Sequence, residues 1–275
     1  MATEPDSETN KLFSVAPDSE VAGASAEGDS TEGRSTRRAQ RRRGIYLLPN
    51  LLTTGALFGG FYAILAAMNG KFEAAAIAIF VAMLFDGLDG RVARMTHTES
   101  DFGVQYDSLS DMVSFGVAPA VVSFSWMLFT LGKVGWAGAF IYASCGALRL
   151  ARFNTQVGVA DSRYFIGLAS PAAAGLIAAM VWSGYDAEAT QSLAVLALFV
   201  TAAAGLLMVA PMRYYSLKAI DFKGRVPFVS IFAVAMLVSV ILIDPPRVLL
   251  LIAVLYALSG PVISASRKYR HSKKA

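Results

Sequence analysis

After Ile45 the chain consists almost entirely of apolar stretches, each near the ~20 helical residues needed to cross a hydrocarbon core. A lipid-embedded backbone has no water to hydrogen-bond, so each stretch must satisfy its own N–H and C=O groups, as a helix does. Spans are therefore expected at 46–68, 72–95, 105–131, 135–155, 164–183, 190–211, 226–243 and 246–264. Of the 275 residues, 55% are hydrophobic and only 16% charged, with a mean hydropathy of +0.52. An ordinary soluble domain is far more polar. The expected fold class is all-α: a polytopic membrane helical bundle of about eight transmembrane helices. The last two should form a tight hairpin, because the double proline in Asp244-Pro245-Pro246-Arg247 cannot easily continue a helix.

Orientation follows from the cations, since Lys and Arg are retained on the cytoplasmic side during insertion. Arg41, Arg42 and Arg43 precede the first span, and Arg91 and Arg94 follow the second. Arg149, Arg152 and Arg163 surround the fourth-to-fifth connection; Arg213, Lys218, Lys223 and Arg225 fill the sixth-to-seventh. The opposite connections hold few cations, so both termini are expected to be cytoplasmic, in an integral protein of the plasma (cytoplasmic) membrane.

Residues 1–44 differ in kind. Ser, Glu, Asp, Gly and Ala dominate up to Glu32, and a basic run then extends from Arg34 to Arg43. Such a segment cannot bury a core and is expected to be a disordered cytoplasmic extension, ahead of a membrane domain over 45–266 and a basic tail over 267–275. No apolar segment precedes Tyr46, which predicts a retained first anchor rather than a cleaved signal peptide. The basic run fixes topology or meets anionic headgroups of membrane lipids. Nothing else in the chain points to nucleic acid. Cys145 stands alone inside an apolar stretch, so no disulfide framework exists, and His97 and His271 lack the spacing of a zinc site.

The informative segment is Asp86-Gly-Leu-Asp89-Gly90-Arg-Val-Ala93-Arg94, followed after eight residues by Gly103-Val-Gln-Tyr-Asp107-Ser-Leu-Ser-Asp111. Helical residues three or four apart share a face. Asp86, Asp89, Gly90 and Ala93 thus form one stripe, and Gly103, Asp107 and Asp111 another, near the cytoplasmic ends of two consecutive helices. Small residues beside carboxylates describe a cleft, open to the cytosol, in which a bulky ligand approaches the backbone. Even one Asp at mid-span costs about 2.5–3.5 kcal/mol on insertion scales, so four need compensation. Oxygen-only carboxylate pairs suit Mg²⁺ or Mn²⁺, and a metal pair would keep them ionised. Helix caps and ion pairs with Arg91 and Arg94 are the plainer explanation, but they do not account for the matched small residues.

DxxDGxxAR, eight residues, then GxxxDxxxD resembles the signature of the CDP-alcohol phosphatidyltransferase family, matched at Asp86, Asp89, Gly90, Ala93, Arg94, Gly103, Asp107 and Asp111. Members join an alcohol to the phosphatidyl group of a CDP-linked lipid and release CMP. The resemblance implies that Asp86, Asp89 and Asp107 bind two Mg²⁺ or Mn²⁺ ions, and that Asp111 completes the site and acts as the base. It also implies that Asp89, Gly90, Ala93, Arg94 and Gly103 lie against the CDP-lipid. Pro49-Asn50-Leu-Leu-Thr53 resembles the family's first helix and adds Asn50 and Thr53 to that set. Homodimers are common in the family.

The signature does not choose the acceptor. Arg149-Leu-Ala-Arg152-Phe-Asn154, Gly167-Leu-Ala-Ser170-Pro171 and Arg213-Tyr-Tyr-Ser-Leu-Lys218 are similar to the phosphatidylserine synthase subfamily, with Ala169 where proline is expected. That likeness implies CDP-diacylglycerol and L-serine as substrates, with Arg149, Arg152 and Asn154 on the acceptor. Guanidinium groups one turn apart suit a carboxylate, although arginines at a cytoplasmic helix end also serve as anchors. Ser170 caps its helix on this reading, while Tyr214 and Tyr215 are interfacial aromatics. Glycerol 3-phosphate, an inositol phosphate or choline are the alternative acceptors. A divalent-cation transporter is the alternative of another class, but it would place its aspartates near mid-membrane on broken helices.

Overall fold

The computed structural model describes residues 29–96, 100–155, 164–215 and 228–272. The described residues fall in two units: 29–42, which are helical, and those from Arg43 onward, which hold the helical bundle. The expected disordered extension falls partly on 1–28, outside the described residues, as do His97, Arg163, Lys218, Lys223 and Arg225.

The helices are α1 (Asp29–Met68), α2 (Phe72–Thr96), α3 (Asp101–Asp111), α4 (Ala118–Trp126), α5 (Lys133–Thr155), α6 (Ser170–Ser183), α7 (Gln191–Val209), α8 (Phe228–Ile243) and α9 (Pro245–Ser272). A π-helical segment, Met112–Val117, joins α3 to α4 without a break, and a 3₁₀ turn covers Leu128–Leu131. Among the described residues, five stretches are long and apolar enough to cross a membrane: Leu48–Met68, Asp101–Trp126, Lys133–Thr155, Gln191–Val209 and Pro245–Ser264. The other three expected spans correspond to α2, α6 and α8. Helix α2 has 25 residues but carries Glu73, Asp86, Asp89, Arg91 and Arg94. Helices α6 and α8 have 14 and 16 residues. At 1.5 Å per residue α6 is only about 21 Å long, shorter than a hydrocarbon core of ~30 Å. It is buried nearly all round, from Ser170 to Val181, so other helices rather than lipid form its surroundings.

The helical reading fails at 164–169. There the chain is extended, and β1 (Tyr164–Ile166) pairs antiparallel with β2 (Arg213–Tyr215), Phe165 opposite Tyr214. Gly167 explains the break. Its φ of +84° is a left-handed conformation, and a Cβ there would run into the Met208 carbonyl oxygen. The helix restarts only at Ser170-Pro171, where proline's missing N–H costs nothing.

Helices α5 and α7 pack along each other, and α6 packs on α2 and α9. In lipid the hydrophobic effect does not drive helices together, so close van der Waals contact and hydroxyl bonds must. Alanines 75, 76, 82, 173, 174, 178 and 179 are all buried. A Cβ on Gly205 would lie 2.9 Å from Tyr142 Cα, and one on Gly60 would lie 2.6 Å from Ser114 Cα. The Ser114 hydroxyl donates to the Ala56 carbonyl at 2.9 Å, and the Ser110 hydroxyl to the Thr53 carbonyl at 3.1 Å, tying the π segment and α3 to α1. Ser123 and Thr201 share a buried hydrogen bond of 2.8 Å. Large apolar side chains such as Phe58, Trp136, Phe140 and Phe199 point outward, as lipid-facing residues do.

Because a Cβ at Gly60 would overlap Ser114 of the π segment, Gly60→Val should force the two elements apart and cost about 1–3 kcal/mol. The expected result is a lower thermal midpoint in detergent. Gly87→Ala, whose Cβ would meet nothing within 4 Å, should leave the midpoint unchanged or raise it slightly, since alanine is the better helix former.

Candidate active site

The site is built where the C-terminal part of α2 meets the start of α3. Ser100 opens α3 as its N-cap, accepting the Gly103 N–H at 3.1 Å. From that start, helical periodicity places Asp107 and Asp111 one turn apart, as it does Asp86 and Asp89 on α2. One carboxylate oxygen from each of Asp86, Asp89 and Asp107 lies within 4.8 Å of the other two. Asp111 lies outside this trio but neighbours Asp86 and Asp107 on one side and Arg149 on the other.

Asp89 is buried, and the Thr53 hydroxyl lies 2.8 Å from its Oδ2, to which it donates. The same Thr53 offers its carbonyl to Ser110 on α3. One threonine thus joins α1, α2 and α3 and aims Asp89. Asp107 Oδ1 is buried with no hydrogen-bond partner. A carboxylate oxygen in that state carries an uncompensated desolvation cost, which a cation removes. The donors are all hard oxygens, without His or Cys, which is the ligand chemistry of Mg²⁺ and Mn²⁺ rather than of zinc. The residues therefore fit a divalent ion.

Gly90 has open space where a Cβ would be, so it serves no helix contact and leaves the backbone beside Asp89 approachable. Ala93 is half-buried one turn on. Arg94 is exposed, with Nε donating to its own helix at the Gly90 carbonyl, 2.9 Å away. On the α1 side, a Cβ on Gly103 would stand 3.5 Å from Asn50 Oδ1, and the hydroxyls of Thr54 and Tyr106 are 2.9 Å apart.

Three further residues come from α5. The half-buried Arg149 donates from Nη1 to the Ser170 hydroxyl at 2.5 Å, while its Nε is buried without a partner. Its other neighbours are Asp111, Tyr256 and Tyr142. Ser170 thus holds an arginine instead of capping α6, whose N-cap is Ala169 without a side-chain bond. Asn154 Nδ2 donates to the Ser108 hydroxyl at 3.1 Å, which fixes the end of α5 against the residue after Asp107. Arg152, half-buried, makes no side-chain hydrogen bond or ion pair among the described residues.

Tyr142 caps the π segment, donating to the Phe115 carbonyl at 3.0 Å. Tyr214 is a core residue rather than an interfacial aromatic: fully buried, it donates to the Ala257 carbonyl at 3.0 Å. Burial, and then the neighbouring Tyr256, push its phenol up to about 12, so it stays neutral. Ser110 could have been suspected from its place within the spaced aspartates. Tyr256 carried no sequence signal, because it lies far along the chain in a helix of ordinary apolar composition.

Among curated proteins, CDP-diacylglycerol–serine O-phosphatidyltransferase of Helicobacter pylori is 33% identical over 219 residues, covering 78% of this chain and 90% of that protein. The protein of the same name from Methanocaldococcus jannaschii is 37% identical over 182 residues, 66% of this chain and 80% of its own. Archaetidylserine synthase of Methanothermobacter thermautotrophicus is 35% identical over 175 residues, 61% and 69% of the two lengths. The family model for CDP-alcohol phosphatidyltransferase spans residues 46–259, from α1 through the aspartate pair of helices to α9. The chain belongs to the CDP-alcohol phosphatidyltransferase family.

Proposed function

We propose that the chain transfers the phosphatidyl group of CDP-diacylglycerol to the hydroxyl of L-serine, giving phosphatidylserine and CMP. The observation that carries this reading is the cluster of Asp86, Asp89 and Asp107, with Asp107 Oδ1 buried and unpartnered, beside the open backbone at Gly90. Serine as acceptor is supported by the names of the relatives and by the half-buried guanidinium of Arg149 that neighbours Asp111.

Asp86, Asp89 and Asp107, completed by Asp111, would hold Mg²⁺ or Mn²⁺, as a pair of ions. When bound, the metal neutralises the diphosphate and makes CMP a better leaving group. Thr53 keeps Asp89 aimed at that position from behind. Gly90 and Ala93 let the cytidine diphosphate lie against α2, with Arg94, Gly103 and Asn50 at its edges. Asp111 takes the proton from the serine hydroxyl as its oxygen attacks the phosphatidyl phosphorus; the bond from that phosphorus to the bridging oxygen breaks, and its electron pair leaves with CMP. Arg149, with Arg152 and Asn154 nearby on α5, orients the acceptor. The acyl chains stay in the bilayer beside the helices. This reading has eight spans, both termini cytoplasmic, a site facing the cytosol at the plasma membrane, and a homodimer as the assembly.

CMP release by the purified chain, with CDP-diacylglycerol and Mn²⁺ or Mg²⁺ and with L-serine, glycerol 3-phosphate, inositol phosphate or choline supplied separately, tests the proposal. Serine should drive release, and Asp111→Asn should reduce it by about 10²–10⁴-fold, the usual worth of a general base. Release driven by another alcohol would displace serine as the acceptor, and release with none would sink the enzyme reading.

Stripping divalent ions with a chelator should abolish release, and Mg²⁺ or Mn²⁺ should restore it. Thr53→Val, which removes the hydroxyl behind Asp89, should raise the metal concentration giving half-maximal activity by about 10–100-fold. The serine KM should hardly move.

A further inference from the structure

Helix α9 packs on α6, whose first residue, Ser170, holds Arg149. On α9 the half-buried Tyr256 is an electrostatic neighbour of the same arginine. Its ring is set from behind by Tyr214, at 5.7 Å between centroids and 42° between planes. Tyr214 is itself immobile: its hydroxyl is bound to the Ala257 carbonyl, its backbone sits in the β1–β2 pair, and its ring occupies the space a side chain at Gly260 would need. Tyr256 therefore packs against a buried residue that is itself fixed in the core.

Tyr142 and Tyr256, which neighbour Arg149, and Tyr214, which packs on Tyr256, differ in one respect. Tyr142 and Tyr214 each spend their hydroxyl on a backbone carbonyl. Among the described residues no hydrogen bond engages the hydroxyl of Tyr256. Arg149 likewise keeps a buried Nε without a partner after satisfying Ser170. A guanidinium with an unused edge, beside Asp111, and a neighbouring phenol with an unused O–H offer two kinds of donor and one positive charge. That set complements a planar carboxylate, which guanidinium binds through two parallel bonds and to which a phenol adds a third donor. A phosphate dianion would call for a second cation in direct contact; the groups next to Arg149, namely Asp111, Ser170, Tyr142 and Tyr256, supply none, and Arg152 stands one turn further along α5.

We propose that Tyr256 is a specificity-determining residue of the acceptor subsite: its hydroxyl, together with Arg149, takes the carboxylate of an amino-acid acceptor and turns the acceptor's own hydroxyl toward Asp111. The inference rests on serine as the acceptor and adds to that reading the group that recognises the carboxylate end.

Tyr256→Phe keeps the ring and its packing on Tyr214 and removes only the donor. In CMP-release assays of the full chain, the serine KM should rise about tenfold, the worth of one hydrogen bond to a charged group. The KM for CDP-diacylglycerol and kcat should stay within about threefold of the unsubstituted chain. L-Alanine, which has the carboxylate and ammonium but no hydroxyl to transfer, should compete with serine, and its inhibition constant should rise by the same factor. A serine KM and alanine inhibition constant that stay within about twofold in Tyr256→Phe overturn the role of Tyr256 while leaving serine transfer intact. Failure of alanine to compete with the unsubstituted chain overturns the carboxylate anchor. An unsubstituted chain that ignores serine and uses a phosphorylated alcohol overturns the parent reading itself, and the carboxylate partner with it.

Discussion

Mutual repulsion among Asp86, Asp89 and Asp107 is the constraint around which the structure is arranged. At the 4.8 Å that bounds their oxygens, two full negative charges repel by about 3.5 kcal/mol even at an effective dielectric near 20. Three such pairs approach the whole folding stability of a typical domain, ~5–15 kcal/mol. Neutral donors cannot cancel that. Thr53 gives Asp89 one hydrogen bond and leaves its charge in place, and Arg149 faces Asp111 rather than the trio. The arrangement makes energetic sense when a polyvalent cation is among the ligands, so cation binding and stability are expected to be strongly linked.

Keeping those carboxylates together requires helices that cannot slide. The bilayer offers no hydrophobic driving force between helices, and the chain uses two devices instead. One is close approach of backbones, at Gly60 against Ser114 and Gly205 against Tyr142. The other is a set of hydroxyls donated across helices to carbonyls, Ser110 to Thr53 and Ser114 to Ala56. The π segment after Asp111 belongs to the same scheme. Its extra residue per turn rotates α4 by about 100° relative to an unbroken α-helix. The aspartates can thus face α2 while Ser114 and Phe115, immediately afterwards, are buried among other helices. Tyr142 repairs the local cost by donating to the Phe115 carbonyl.

The features legible in the sequence were those that depend on local spacing. A 3.6-residue period puts Asp86 with Asp89 and Asp107 with Asp111 whatever the rest of the chain does, and apolar length alone located the five long spans. The two-stranded pair could not be read, because Tyr164–Ile166 meets Arg213–Tyr215 across two intervening helices and each strand has only three residues. The same holds for Tyr214, whose sequence context is polar and basic while its ring is wholly buried. Ser170 looked sufficient as a cap, since Ser-Pro at a helix start usually is one. Only the fold brings the side chain of Arg149 to it. Short helices were the other difficulty: α6 is apolar enough to resemble a span, yet it is shielded by protein and need not match the bilayer.

Asp111 stands where two halves of the site meet. Helices α2 and α3 contribute the trio of carboxylates, and α5, α6 and α9 contribute Arg149, Ser170 and Tyr256; Asp111 neighbours Asp86 and Asp107 of the first group and Arg149 of the second. In the proposed reaction that position has a consequence. The base would be poised by a cation-binding cluster on one side and by a guanidinium on the other, so loading of the lipid diphosphate and loading of the acceptor would each alter its field. An acceptor whose carboxylate engages Arg149 weakens that arginine's hold on Asp111, freeing the carboxylate to take a proton when the hydroxyl to be deprotonated is in place. Without acceptor, Asp111 keeps the guanidinium as its charged neighbour. Such an arrangement would favour transfer to the alcohol over hydrolysis of the CDP-lipid, by electrostatics that the helix packing has already set.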